Sequence, residues 1–249
     1  MMLSNRLFRN GGSSILLTNK RDLKDRCSLK LKCTVRTNTG YDDEAYGCCI
    51  QVEDPQGYQE NFKLLLPKIL PVSELLRYAI STLWKKSTEV QNLSFNLNLK
   101  SGVDHFFFHP GGRALIDCLG KSLGLSEYVL EPTRMTLIYR FGNTSASGLC
   151  YILSYMEAKK RLKKGDKILM VVLGAGFMCN NWVWEVMKDG LEDTRVWEDC
   201  IDEYPRKDLV NPFTEKYSWI NDECINNLKN VLKRENYWSD LWVVAIVNH

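Results

Sequence analysis

The amino-acid sequence predicts a layered α/β domain, and three observations carry that expectation. Ile168 to Leu173 is an unbroken apolar run of strand length, the pattern of a strand buried on both faces. Two apolar stripes at helical spacing precede it. One is Ala114, Leu115, Cys118, Leu119 and Leu123, and the other is Leu149, Ile152, Leu153 and Met156. Strand-like segments lie before and between the stripes, so strand, helix, strand, helix and strand follow one another through short connections.

The chain has 249 residues, 45% hydrophobic and 25% charged, enough apolar material for one large domain or two small ones. Its 33 basic and 30 acidic residues leave a net charge of +3, too balanced for a general nucleic-acid binder. No apolar run reaches the ~18 residues that a membrane-spanning helix needs. The opening Met-Met-Leu-Ser-Asn-Arg lacks the apolar centre of a secretory signal. Nine cysteines stand without a CxxC pair, so reduced thiols that mostly serve as small core residues are expected.

In chain order, residues 1–20 form a short apolar element with a turn at Gly11-Gly12, followed by Ile15-Leu16-Leu17 and a charged loop from Lys20 to Arg26. Leu29, Leu31, Cys33 and Val35 alternate with polar neighbours, the period of a strand. Asn38-Thr39-Gly40 supplies a turn, and Cys48 to Val52 forms the next strand, closed by Asp54-Pro55; the two make a hairpin. From Pro71, Leu75, Leu76, Ala79, Ile80 and Leu83 recur at helical spacing, with Ser73 and Glu74 in the first turn. Residues 85–102 are polar and connect. Phe106-Phe107-Phe108 runs into His109-Pro110-Gly111-Gly112, and the helix after it stops at Gly124. Met135 to Phe141 is predicted as a strand, broken at Gly142. A helix is predicted from Thr144 to Lys164, with Lys159, Lys160, Arg161, Lys163 and Lys164 at the negative end of its dipole and Gly165 at the stop. Beyond Asp189 the chain is aromatic, charged and irregular, and its closing apolar segment, Trp242 to Val247, is too short to span a bilayer.

Several residues could carry chemistry. His105 and His109 are two of three histidines and stand four apart, a spacing that on a helix turns both imidazoles to one metal ion. The phenylalanines between them and the Pro-Gly-Gly after them instead fit a strand entering a loop. There a histidine packs at the strand end, or sits in a cleft and moves a proton. Asn143 is a good N-cap for the helix that follows, and an amide at a helix mouth also stabilises negative charge developing on oxygen. Gly174-Ala175-Gly176 allows close backbone approach to a ligand but lacks the third glycine of a dinucleotide fingerprint. The Lys159–Lys167 cluster suits CoA or nucleic-acid phosphates, or a solvated helix end.

Gly102-Val-Asp-His-Phe-Phe-Phe-His-Pro-Gly-Gly-Arg-Ala-Leu-Ile-Asp117, Arg140-Phe-Gly-Asn-Thr-Ser145 and Tyr155-Met-Glu-Ala-Lys-Lys-Arg-Leu-Lys-Lys-Gly-Asp166 together resemble the plant very-long-chain 3-ketoacyl-CoA synthases. These are condensing enzymes of fatty-acid elongation with a thiolase-like fold. Gly174-Ala-Gly-Phe177, Cys179-Asn180-Asn181, Leu7-Phe-Arg-Asn-Gly-Gly12, Val35-Arg-Thr37 and Asp42-Asp43 extend the resemblance from the first residue to about Pro205. It implies a remnant of the N-terminal thiolase-like half over 1–70, the C-terminal half over 71–205 and a divergent tail over 206–249.

The resemblance also implies a reaction. The family joins a long acyl-CoA to malonyl-CoA, releasing carbon dioxide and giving a 3-ketoacyl-CoA two carbons longer. A cysteine thiolate holds the acyl chain, while a histidine and an asparagine assist decarboxylation. By position His109 and Asn143 are similar to that pair, with His105 a secondary candidate. Gly174, Ala175, Gly176 and Phe177 are similar to the loop shaping the cavity beside the thioester. The implied substrates are CoA thioesters, with no further cofactor, no metal and no nucleic acid. The implied setting is the cytosolic face of the endoplasmic reticulum membrane, as a homo-oligomer or with other elongase subunits.

The chain also departs from the pattern. The family's nucleophilic cysteine lies upstream of where this sequence begins, and of the nine cysteines Cys179 alone merits consideration. Asn38 stands where many members have histidine. Ile138-Tyr139 replaces a single residue, an addition that a bulge would absorb. The alternative expectation is a catalytically inactive relative acting by association with an intact synthase. A polyketide-forming condensing enzyme is a further one.

Overall fold

Among the described residues four strands build one sheet in the order β1-β4-β3-β2, where β1 is Leu29–Asn38, β2 is His105–Phe108, β3 is Lys167–Gly174 and β4 is Met178–Val186. The computed structural model describes residues 8–38, 64–79, 98–174, 178–190 and 196–206. Residues 1–205 make up one compact unit and 206–249 another. β1 pairs antiparallel with β4, β4 antiparallel with β3, and β3 parallel with β2. A parallel pair needs a long crossover, and here it contains α1 (Arg113–Ser122), α2 (Glu127–Arg134) and α3 (Gly148–Ala158).

Strand alternation explains the three phenylalanines. Phe106 and Phe108 share one face with Leu169 and Val171, packing against Ile116 and Leu119 of α1, Leu130 of α2 and Leu65 in a short helix at 64–69. Phe107, Ile168 and Met170 face the other way, onto Leu149, Ile152 and Met156 of α3. Phe106, Phe107 and Phe108 are at most 1% exposed, and burying each is worth about 1.5–3 kcal/mol. The result is a layered α/β fold with helices on both faces of the sheet. The outward N–H of Phe108 on β2 donates to the Thr133 hydroxyl of α2 at 3.3 Å, so a helix covers that strand. At the start of the strands Asp104 N–H donates to Lys167 O at 2.9 Å, and Lys167 N–H to the Asp104 carboxylate at 2.8 Å. This reciprocal pair fixes the parallel register.

Several expectations require correction. Leu29, Leu31, Cys33 and Val35 do not share a face, because the β1–β4 register shifts between Leu31 and Cys33. The extra residue, Lys32, reverses parity: Leu29 packs on the α3 side, Cys33 and Val35 on the α1 side, and Leu31 is exposed. The described partner of β1 is β4, whereas the proposed hairpin strand at 48–52 lies outside the described residues. The helix expected from Pro71 spans 72–79 in the described part.

Met135 to Phe141, expected as a strand, is helical. α2 passes directly into a π-helical turn, Met135–Arg140, where Phe141 N–H reaches back five residues to Thr136 O at 2.9 Å. Pro132 has no N–H to give, and the Thr136 hydroxyl donates to its carbonyl at 2.8 Å. The wider turn takes up one residue more than an α-turn, and Ile138-Tyr139 lie in it, so no β-bulge forms there.

The next helix also ends early. It opens as a 3-10 turn, Ser145–Ser147, and α3 stops at Ala158 rather than Lys164. Arg161 N–H donates to Met156 O and Lys160 N–H to Glu157 O, with Lys160 at φ 53°. That is a Schellman stop built on lysine, and it terminates the helix before Gly165 is reached.

Residues 196–204 form a strap over α3. Trp197 is fully buried, edge-on to Tyr155 and Tyr204 at 5.0 and 5.1 Å, and its indole N–H donates to Ser154 Oγ at 3.1 Å. Arg140 donates to Val196 O at 2.7 Å and Asp199 at 2.9 Å, and lies 5.1 Å over the Trp197 ring. Among the described residues no helix is long and apolar enough to cross a membrane.

Candidate active site

His109 is positioned by the parallel ladder. Its N–H donates to Val171 O at 2.8 Å, and Gly111 N–H then folds back onto His109 O at 2.7 Å, turning the chain out of the sheet. Glycine lets the two side chains close in: a Cβ on Gly111 would stand 3.0 Å from Leu115 Cδ2 and 3.2 Å from His109 Cδ2. Burial pushes the imidazole down to about 4, so the ring is neutral at physiological pH. Its Nδ1 is enclosed and has no hydrogen-bond partner among the described residues. A buried acceptor tolerates that better than a buried N–H, which places the proton on Nε2.

Asn143 lies in the bend between the π-turn and the 3-10 turn and is 3% exposed. Its Oδ1 accepts from Ser145 N–H at 2.8 Å, forming an Asx turn that supports Ser145 at φ 57°. Asn143 therefore holds the 3-10 turn and not α3 itself, a correction to the expected helix cap. Its Nδ2 faces Gly111 O at 3.5 Å, the outer limit of a hydrogen bond. Both groups thus approach Gly111: the His109 ring stands beside its Cα, and the Asn143 amide faces its carbonyl oxygen.

The other candidates fall elsewhere. His105 begins β2 and its Nε2 lies 2.8 Å from Asp166 Oδ2. Four residues of strand put it about 13 Å from His109, so the two imidazoles do not converge on one ion. Among the described residues no cluster of His, Cys, Asp and Glu could hold a metal. Gly174 ends β3 opposite Met178; Ala175, Gly176 and Phe177 lie outside the described residues. Cys179 is buried on β4, and burial pushes its thiol up to about 12, the opposite of a nucleophile's requirement.

The sequence reading missed what the N-terminal segment does. Phe8 forms a parallel bridge with Asn143, and Arg9 N–H donates to Asn143 O at 2.8 Å. The signal was the Gly11-Gly12 pair. A Cβ on Gly11 would come within 2.6 Å of Thr144 Cγ2, a close approach rather than the simple turn first expected.

The mixed sheet, its two helical layers and the His109–Gly111–Asn143 junction define a layered α/β protein with polar groups gathered where β2 leaves the sheet. Residues 1–87 match the family described as FAE1/Type III polyketide synthase-like protein, and residues 96–186 the one described as 3-oxoacyl-[acyl-carrier-protein (ACP)] synthase III C terminal. The chain is 53% identical to 3-ketoacyl-CoA synthase 19 of Arabidopsis thaliana, over 91% of this chain and 53% of that protein. It is 49% identical to 3-ketoacyl-CoA synthase 12 of the same plant, over 92% and 55%. The chain belongs to the 3-ketoacyl-CoA synthase family and spans about half the length of the curated relatives it matches. Among solved structures, 3-oxoacyl-(acyl carrier protein) synthase III from Xanthomonas oryzae overlaps 63% of this chain and 40% of its own, at 20% identity and a TM-score of 0.38.

Proposed function

We propose that the chain works as part of a condensing acyltransferase of very-long-chain fatty-acid elongation, and that its own share of the reaction is decarboxylation of the malonyl unit. The observation that carries this reading is the approach of both His109 and Asn143 to Gly111. A malonyl thioester lies with its thioester oxygen toward His109 Nε2–H and Asn143 Nδ2–H. The bond between the α-carbon and the carboxylate breaks, carbon dioxide leaves, and the electron pair forms an enolate. Its negative oxygen is held by the two donors. A neutral imidazole suits that role, since it donates without first giving up a proton.

In condensation the enolate carbon forms a bond to the carbonyl carbon of a long-chain acyl thioester and expels the thiolate, giving the 3-ketoacyl-CoA. Without an acyl partner the carbon takes a proton from water and leaves as acetyl-CoA. CoA thioesters are the only small molecules required. The family resemblance assigns Gly174, Ala175, Gly176 and Phe177 to the acyl-chain side of the reaction. The setting is the cytosolic face of the endoplasmic reticulum membrane, in a homo-oligomer or with other elongase subunits. His105, held by Asp166 at the far end of β2, supports the sheet and not the reaction.

The test is decarboxylation of malonyl-CoA alone, followed as acetyl-CoA. The chain is expected to turn it over, and His109→Ala and Asn143→Ala are each expected to slow it on the order of 100-fold, as loss of one oxyanion donor does. No turnover by the unaltered chain would overturn this reading. It would favour an inactive relative that associates with an intact synthase, a reading supported by the buried, protonated thiol of Cys179.

A further inference from the structure

Asn143 stands apart from the other site groups because three separate parts of the chain fix it. Its side-chain oxygen is committed to Ser145 N–H and its main-chain oxygen to Arg9 N–H. Tyr151 of α3 holds the segment that carries Arg9. The Tyr151 hydroxyl accepts from Gly12 N–H at 3.3 Å and donates to Gly12 O at 3.2 Å. The Tyr151 ring stacks on Phe141, with centroids 4.2 Å apart and planes at 16°. Phe141 is two residues before Asn143, and Gly12 is three residues after Arg9. Tyr151 therefore grips both strands of the bridge that carries Asn143, one through its ring and the other through its hydroxyl. Gly11 fills the remaining space, since any Cβ there would meet Thr144 and then the Tyr151 oxygen at 3.1 Å.

We propose that Tyr151 is a positioning residue for Asn143, acting through the Phe8–Gly12 segment. This rests on the decarboxylation reading given above. A hydroxyl making two hydrogen bonds to one glycine locks both the height and the tilt of that segment. Phe8–Arg9 then fixes the Asn143 peptide, and with Oδ1 tied to Ser145 the Nδ2 group keeps a single direction, toward Gly111. The ring alone holds the Phe141 side. The hydroxyl alone reaches the Gly12 side.

The experiment is Tyr151→Phe in the full chain, which keeps the ring stack and removes the clasp. Two resonances report on it: the Arg9 backbone amide and the Asn143 side-chain NH2, with the Leu169 and Val171 amides of β3 as internal standards. The expected result is amide exchange at Arg9 faster on the order of tenfold and a shifted Asn143 NH2 signal, with β3 unchanged. An unmoved Asn143 signal would overturn the proposal. Gly11→Ala attacks the same bridge from the opposite side and is expected to shift the same signal; a response confined to residues 8–12 would also overturn it. Where malonyl-CoA is decarboxylated, Tyr151→Phe is expected to lower kcat about tenfold with KM within twofold, as befits a group that aligns a transition-state donor. A change in KM alone contradicts the role. If the unaltered chain decarboxylates nothing, the functional reading fails, and the two resonances still decide the clamp.

Discussion

Pro110 lies directly on Gly148: a Cβ at position 148 would come within 2.4 Å of Pro110 Cγ and 2.7 Å of Cδ. The residue that follows His109 is therefore seated on the first turn of α3, the helix toward which Asn143 leads. The distance between the two candidate groups is set by this contact as well as by the sheet.

Gly148→Ala should therefore destabilise the protein, by about 1–3 kcal/mol from overpacking. Without the Pro110 contact the same change in a helix would stabilise by roughly 1 kcal/mol, so the sign is diagnostic. Urea unfolding of the two proteins checks it, and a raised midpoint would show that the loop gives way freely.

His109 makes stability depend on pH in a defined window. Its folded value is about 4 and the unfolded value 6.5, so between them the unfolded chain binds the extra proton. Stability is full above pH 6.5, is lost as pH falls, and levels off near 4. The loss amounts to at most about 3 kcal/mol. His109→Gln should flatten this part of the profile, measured as urea midpoints at pH 7, 5.5 and 4.5.

Lys160 occupies the left-handed position that glycine usually fills in a stop of this kind. Lys160→Gly should stabilise by about 0.5–1 kcal/mol and raise Tm by a few degrees. Calorimetry would read this directly, and an unchanged or lower Tm would mean the lysine side chain contributes more than its backbone strain costs.

Ile15, Leu16 and Leu17 are exposed at 62%, 93% and 72%, three large aliphatic groups in a row. Such a run favours association. The chain should sediment as more than a monomer, and Leu16→Glu should reduce the larger species. Monomeric sedimentation of the unaltered chain would dispose of the expectation.

How far the sequence revealed this structure varied with the kind of signal. Ile168–Leu173 was legible from its strand length and β-branched residues, and it lies within Lys167–Gly174, with Ile168 to Val171 buried and Val172 and Leu173 half-buried. β1 was legible as a strand but not in its facing, because the shift at Lys32 depends on pairing with β4, which no local pattern encodes. Met135–Phe141 misled because seven mostly apolar residues fit either period, and continuity with α2 decided for the helix. The end of α3 misled because the cations and Gly165 marked a later stop than the one Lys160 makes. His109 and Asn143 were recognisable as residue types in motifs. Their shared approach to Gly111 and the seating of Phe8–Gly12 on Asn143 depend on long-range packing.

The antiparallel register of β1 with β4 bears on synthesis. Leu29 pairs with Val186 and Asn38 with Met178, so β1 leaves the ribosome about 150 residues before its partner is made, a wait of roughly 8–30 s at ordinary elongation rates. During that interval its hydrogen-bonding edges have no β4 to meet, and the aliphatic run at Ile15–Leu17 has already emerged ahead of them. A chaperone that holds extended apolar chain is the natural occupant of that interval, and slowing translation after residue 38 would lengthen the nascent chain's dependence on it.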